Sequence, residues 1–208
     1  MTAILDYGIG NLFSLCSSLE KIGEEAVITA DAETVRRADR IILPGVGAFR
    51  DAIAKLNASG LVPVLKEEVK RGKPVMGICL GMQLLFEKSY EYGEYAGLGL
   101  IRGEMRFIGE LTKDKKIPHM GWNALSFANG VHPLFQYIRE GDCVYFVHSY
   151  AGVACEDSLI ATAEYGVPLT AAVAKGNVLG CQFHPEKSGT VGLNILRAFV
   201  ELREGMLC

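Results

Sequence analysis

Val75-Met76-Gly77-Ile78-Cys79-Leu80-Gly81 reads as a short apolar strand that stops at a cysteine set between two glycines. Gly-Xaa-Cys-Xaa-Gly is the thiol counterpart of the nucleophile elbow, a tight strand-to-helix turn that pushes one side chain into the open. Met82, Leu84, Leu85 and Phe86 continue as a helix. The Cys79 sulfur then sits at a helix N-terminus, where partial positive charge favours thiolate over thiol. A small core cysteine following an apolar strand has the same local pattern. What separates the two readings is a base delivered to Cys79 from elsewhere in the chain.

Upstream of the elbow, strands and helices alternate. Ala3, Ile4 and Leu5 form a strand, Tyr7-Gly8-Ile9-Gly10 a glycine loop, and Asn11 caps a helix whose apolar positions Leu12, Leu15, Cys16, Leu19 and Ile22 recur at helical spacing before Gly23. The two glycines before Asn11 lack the third of a dinucleotide fingerprint, so no nucleotide cofactor is read from them. Residues 26–29 and 40–43 are further strands, the latter uniformly apolar as parallel strands covered on both faces tend to be. Pro44-Gly45-Val46-Gly47 follows as a loop into a helix reaching about Leu56. Such a loop at a strand's C-terminal end can aim backbone N–H groups at a developing oxyanion, although an ordinary strand-to-helix turn has the same composition. An amphipathic stretch over residues 61–69 leads to Lys73-Pro74 and the elbow strand. Repeated βα steps predict a doubly wound sheet that binds ligands at its strand C-terminal ends.

The second half has a different grain. Residues 87–99 are polar and rich in tyrosine and glycine, and read as a surface loop; residues 101–108 alternate like a strand, and the lysine-rich 113–116 segment reads as a solvated turn. Pro118-His119-Met120-Gly121-Trp122-Asn123 gathers the only tryptophan with a methionine and a histidine, a composition that suits a partner surface or buried packing. Residues 144–150, 159–164, 169–174 and 178–183 read as strands, several joined by short turns that imply antiparallel pairing, and a final helix covers about 190–202. The expected architecture is a single α/β domain over residues 1–208, with a mixed, mostly parallel central sheet and helices on both faces.

With 50% hydrophobic and 22% charged residues, the chain has the composition of a folded protein. Its net charge of −3 and dispersed basic residues argue against a nucleic-acid surface. No long apolar run or basic leader is present, so a soluble cytoplasmic protein is expected, with no membrane association. The six cysteines form no Cys-Xaa-Xaa-Cys pair and are expected as free thiols, with no metal and no cofactor.

The base comes from Phe183-His184-Pro185-Glu186. Residues two apart in extended chain point to the same side, so Glu186 can orient the His184 imidazole and stabilise its cation. Cys79, His184 and Glu186 then make a nucleophile, base and orienter. His148 is a competing base, with no carboxylate two residues away.

At this point the chain resembles the class I, or triad, glutamine amidotransferases, whose fold is flavodoxin-like. The resemblance rests on the segments 77–83 and 184–186 and the loop 44–47. Residues 6–12, 118–123, 145–150 and 182–189 narrow it to the glutaminase subunits of imidazole glycerol phosphate synthase. It implies that Cys79 attacks the side-chain amide of L-glutamine, that His184 relays protons, and that a γ-glutamyl thioester is hydrolysed to glutamate and ammonia. It further implies an oxyanion hole from the N–H of Leu80 and one from Val46 or Gly47, and glutamine contacts from Gly45, Gln83, Ser149 and Tyr150. Ammonia would pass to a (β/α)8 cyclase subunit in a heterodimer for histidine biosynthesis, with Asn11, Met120, Trp122, Asn123, Tyr145 and Lys187 facing that partner. Competing readings are the glutaminase of pyridoxal phosphate or anthranilate synthesis, a stand-alone γ-glutamyl hydrolase, and a binding subunit with an inert site.

Overall fold

A computed structural model describes residues 1–113 and 115–202; Asp114, expected in a solvated turn, and Cys208, expected as a free thiol, lie outside the described residues. The first half runs β1 (Thr2–Leu5), α1 (Leu12–Lys21), β2 (Ala26–Thr29), α2 (Ala32–Arg37), β3 (Arg40–Leu43), α3 (Phe49–Ala58), α4 (Leu61–Lys70), β4 (Val75–Ile78) and α5 (Leu80–Leu85). Then come β5 (Phe86–Ser89), β6 (Tyr95–Ala96), β7 (Ile101–Phe107), α6 (Ile108–Leu111), β8 (His119–Ala124), β9 (Ser126–Phe127), β10 (Cys143–His148) and β11 (Tyr150–Val153). The chain closes with β12 (Leu159–Glu164), β13 (Pro168–Lys175), β14 (Val178–Cys181) and α7 (Gly189–Glu201).

An eight-stranded sheet in the order β2-β1-β3-β4-β14-β13-β12-β9 forms the frame. It is parallel from β2 to β14 and antiparallel from β14 onward. The mixed sheet expected from the sequence is therefore present. Successive strand residues feed opposite faces. Ile4, Ile42 and Met76 pack with Leu15 and Leu19 of α1 and with Ile195, Leu196 and Phe199 of α7. Their neighbours Leu5, Ile41 and Val75 pack with α3 and α4 on the other side. This two-sided burial explains why β1, β3 and β4 read as near-continuous apolar runs.

Three readings change. The helix after Cys79 ends at Leu85, and Phe86 opens a strand, because β5 is captured by β7 in a separate four-stranded sheet ordered β11-β7-β5-β6. Residues 87–99 are thus partly sheet and not simply a surface loop. The strand expected over residues 144–150 breaks at Ser149, with β10 pairing β8 in a two-stranded sheet and β11 pairing β7. Bulky residues flank the break on both sides, and the change of hydrogen-bond partner reveals it. Helix α2, capped by Asp31 Oδ2 accepting from the Thr34 N–H at 2.8 Å, was not among the expected elements.

The elbow depends on two close backbone approaches. A Cβ built on Gly77 would lie 2.6 Å from the Gly81 carbonyl oxygen, and one on Gly81 would run into the Leu43 carbonyl oxygen. Each contact is with backbone, which cannot rotate away. Gly81→Ala is expected to destabilise the protein by about 3 kcal/mol, at the upper end for overpacking. Urea unfolding checks this: the midpoint should fall while the slope holds, and an unchanged midpoint would contradict the steric reading.

Candidate active site

Strand β4 delivers Cys79 and β14 delivers His184. The two strands pair in parallel with Ile78 opposite Cys181, and the Cys79 N–H continues the ladder by donating to the Cys181 carbonyl at 2.8 Å. Cys79 has φ 54° and ψ −113°, a left-handed conformation for a residue with a Cβ. That bend turns the thiol away from the sheet and starts α5 at Leu80, whose N–H belongs to the first helical turn and lacks an intrahelical carbonyl.

His184 is 2% exposed, and its Nδ1 lies 2.8 Å from Glu186 Oε1. Burial works against its cation, but hydrogen bonds to the Cys79 thiol and the Glu186 carboxylate outweigh it and raise the imidazole to about 9. The structure thus brings together the three predicted catalytic side chains, with the orienter on the Nδ1 side. The second Glu186 oxygen, Oε2, is buried without a hydrogen-bond partner.

A cavity of about 360 Å³ opens over Cys79 and His184 and is lined in part by Val46, Gly47, Cys79, Leu80, Gln83, Glu91, Ser149, Tyr150 and His184. Most of the predicted oxyanion and glutamine residues therefore share one space. Gly45 does not line it: Gly45 packs behind, where a Cβ would meet the Gly81 nitrogen at 2.8 Å and Leu80 Cβ at 2.9 Å. The loop is braced by the Tyr7 hydroxyl donating to the Pro44 carbonyl at 2.6 Å. Gln83 Nε2 donates to Gln182 Oε1 at 3.0 Å, so its amide is held by a neighbour even as it faces the cavity.

Two residues without an assigned role in the sequence reading belong here. Gln182, fully buried, sends its Nε2 toward Cys79 Sγ at 3.7 Å, a donor suited to a thiolate. Glu91 comes from the segment read as a surface loop. Its Oε2 accepts from the Phe49 N–H at 2.6 Å, and desolvation raises its pKa against that stabilising bond. A carboxylate at a tyrosine-rich loop has no periodic signature, whereas Gln182 could have been found from its place two residues before the base.

The competing base, His148, also lines the cavity, but both its ring nitrogens are occupied. Nδ1 lies 2.8 Å from the Tyr150 carbonyl and Nε2 lies 2.9 Å from His119 Nδ1. Desolvation lowers His148 to about 3 and His119 to about 4. Cys181, three residues before His184, has a fully buried thiol that donates to the Phe183 carbonyl at 3.5 Å, and burial raises its pKa well above the usual range. Among the described residues no group of three potential metal ligands occurs, and no helix is long and apolar enough to cross a membrane.

The predicted partner residues form a more dispersed set. Met120 and Trp122 are exposed on β8; Trp122 meets Tyr145 edge-on at 6.2 Å, and Lys187 Nζ lies 6.0 Å from the Tyr145 ring centroid. Asn11 is exposed before α1, whereas the Asn123 amide turns inward to the Glu164 carbonyl at 2.7 Å.

An elbow cysteine, a buried His-Glu pair and a cavity lined by the cysteine and the histidine, at the C-terminal ends of parallel strands, have the geometry that cysteine-dependent acyl transfer requires. The family model for class-I glutamine amidotransferases matches residues 3–202, and the chain belongs to that family. Among its relatives, the protein called imidazole glycerol phosphate synthase subunit HisH from Lactococcus lactis is 49% identical over 199 residues, covering 95% of this chain and 96% of the relative. The protein of the same name from Geobacillus kaustophilus is 48% identical over 209 residues, covering 99% and 98%. In fold, the chain is similar to a solved glutamine amidotransferase at TM-score 0.75 and 19% identity, covering 96% of this chain and 97% of that one.

The buried neutral histidines set a pH dependence. An imidazole whose folded pKa lies below the unfolded value near 6.5 contributes stability above 6.5, and that contribution is lost as pH falls toward the folded value. His119 and His148 act in this direction, as does His132, also lowered by desolvation. His184, already charged in this range, does not counter them below pH 6. Between pH 6 and 5 the unfolding free energy should fall by roughly 1 kcal/mol for each strongly lowered histidine. Denaturant titrations across that interval check this, and a flat profile would contradict a neutral pair.

Proposed function

We propose that this chain is the glutaminase subunit of an imidazole glycerol phosphate synthase, releasing ammonia from L-glutamine for a separate cyclase subunit. The observation that carries the reading is the pairing of Cys79 and His184 at one cavity, with Glu186 bonded behind the His184 ring, in a chain sharing nearly half its residues with full-length HisH relatives. A (β/α)8 partner, a heterodimer and a cytoplasmic setting complete the proposal.

The Cys79 thiolate attacks the glutamine side-chain carbonyl, and the carbonyl π electrons move to oxygen. The oxyanion is received by the Leu80 N–H and by one from Val46 or Gly47. As the C–N bond breaks, the His184 imidazolium gives its Nε2 proton to the departing nitrogen, and ammonia leaves a γ-glutamyl thioester. Neutral His184 then takes a proton from water. Hydroxide adds to the thioester carbonyl, the C–S bond breaks, and glutamate and the thiolate are released. Glu186, hydrogen-bonded to Nδ1, holds the ring orientation throughout. Gln182 supports the sulfur when it carries charge.

Glutamine is recognised at its far end as well. Glu91 Oε1 takes no hydrogen bond from the described residues, and it faces a cavity of amino-acid size, so it receives the α-ammonium group. Ser149 and Tyr150 line the same cavity.

Cys79→Ala should abolish glutamine-dependent synthesis in the complex with the cyclase while ammonia-dependent synthesis continues; glutamine-dependent turnover in that variant would sink the assignment. Glu91→Gln should raise the glutamine KM roughly tenfold, about 1.4 kcal/mol of lost charge-assisted binding, with little change in kcat. Steady-state kinetics separates the two constants, and a lowered kcat at unchanged KM would remove Glu91 from ammonium recognition.

A further inference from the structure

Strands β8 and β10 place His119 directly opposite His148, and side-chain chemistry turns that register into a chain of bonds with one direction. The Tyr150 carbonyl can only accept, so the nitrogen 2.8 Å away, His148 Nδ1, carries the proton. His148 Nε2 is then an acceptor, and His119 Nδ1, 2.9 Å from it, must donate. His119 Nε2 is left to accept from Asn123 Nδ2 at 3.3 Å. The Asn123 amide is fixed in this sense by its other contacts: Nδ2 also donates to the Glu164 carbonyl at 2.7 Å, and Oδ1 accepts from the Ala124 N–H at 2.9 Å.

Each ring therefore holds one proton, on Nδ1, and has no free lone pair. A second proton on either ring would set N–H against N–H, or force His119 into the tautomer that faces the Asn123 amide hydrogens. The surroundings favour the neutral state. His119 stacks on Phe146 at 4.8 Å and on Tyr165 at 4.1 Å, with Lys115 Nζ 5.8 Å from the Tyr165 ring centroid. Cationic His184 faces His148 and disfavours a second cation.

The far end of this chain is the wall of the glutamine cavity. At the Ser149 break, the Ser149 carbonyl accepts from the Ile108 N–H at 2.9 Å and the Tyr150 carbonyl from His148. Both carbonyls are engaged inside the protein, which fixes how the turn presents itself to the cavity. The near end is Asn123, on the strand that exposes Met120 and Trp122.

We infer that His119 is a positioning residue: held by Asn123 on the exposed strand β8, it locks His148 and through it the Tyr150 carbonyl on the wall of the glutamine cavity. The role rests on the glutaminase reading. It assigns to the two histidines the task of tying glutamine affinity to the β8 surface, and it removes His148 from proton transfer.

Nitrogen-15 histidine NMR on the whole chain tests the relay without activity. Between pH 7 and 5, His119 and His148 should each be protonated on Nδ1 alone, with coupling across the His119 Nδ1–H to His148 Nε2 bond. An Nε2–H tautomer on His148, or a second proton on either ring in this range, would overturn it. Glutamine kinetics in the complex with the cyclase subunit tests the consequence. His119→Leu removes the donor and should raise glutamine KM about tenfold, the size of one buried hydrogen bond, while alkylation of Cys79 by iodoacetamide keeps its rate. His119→Asn keeps an amide N–H where Nδ1 stood and should hold KM within about twofold. Equal effects of the two substitutions, or none, would overturn the role. If His119→Leu does not fold, the tautomers and the His119→Asn result decide. If the unsubstituted complex turns over no glutamine, the glutaminase reading fails while the tautomers still decide the relay.

Discussion

One backbone hydrogen bond, from the Cys79 N–H to the Cys181 carbonyl at 2.8 Å, holds Cys79 beside the strand that leads to His184. It is the last rung between β4 and β14, strands joined in parallel although a hundred residues separate them. Because His184 lies only three residues beyond Cys181, the rung brings its ring to the thiol. The base is clamped from the other side by β10: the His184 N–H donates to the Tyr145 carbonyl at 2.9 Å, and the Ser188 hydroxyl bridges the Tyr145 N–H and the His184 carbonyl. A shift of β10 is thus felt at the base as well as at the cavity wall.

Environment divides the labour between the two histidines on that wall. His148 has no carboxylate partner, and burial leaves it neutral and fully bonded; His184 is buried too, yet its hydrogen bonds to the Cys79 thiol and Glu186 reverse the sign of its shift. Two like rings in one cavity could compete for the same proton. With both nitrogens of His148 engaged by the Tyr150 carbonyl and His119, the imidazole bonded to the Cys79 sulfur is His184.

The parts legible in sequence were those with local signatures. The elbow is a five-residue pattern, and the apolar runs of β1, β3 and β4 announce a covered parallel sheet. The His-Pro-Glu pair is a contiguous motif, although Glu186 reaches the ring from a 3-10 turn over Pro185–Lys187 and not from the extended chain expected, because β14 ends at Cys181. The smaller sheets left no such mark. Residues 144–150 carry bulky side chains on both sides of the change of partner at Ser149, and Phe86 continues an apolar run from helix into strand. Gly45 illustrates the same limit: the loop was legible as a unit, but which glycine faces the cavity and which packs behind depends on contact with Gly81 and Leu80. Glu91 reaches the cavity because its carboxylate caps Phe49, forty-two residues away.

Strain at Cys79 joins these points. A side chain at φ 54° costs of order 1–3 kcal/mol and persists only where its surroundings over-determine it. Here the amide side is fixed by Cys181, and the carbonyl side by the Gln83 N–H at 3.2 Å. Gly77 and Gly81 admit the backbone crossing that keeps the bend closed against the Leu43 carbonyl. Relaxing Cys79 to an ordinary conformation would require breaking the ladder or starting the helix elsewhere, and either would move the thiol away from His184. The glycines that make the motif recognisable are therefore steric conditions for the bend, and the bend is the condition for the Cys79 thiol to meet the His184 ring.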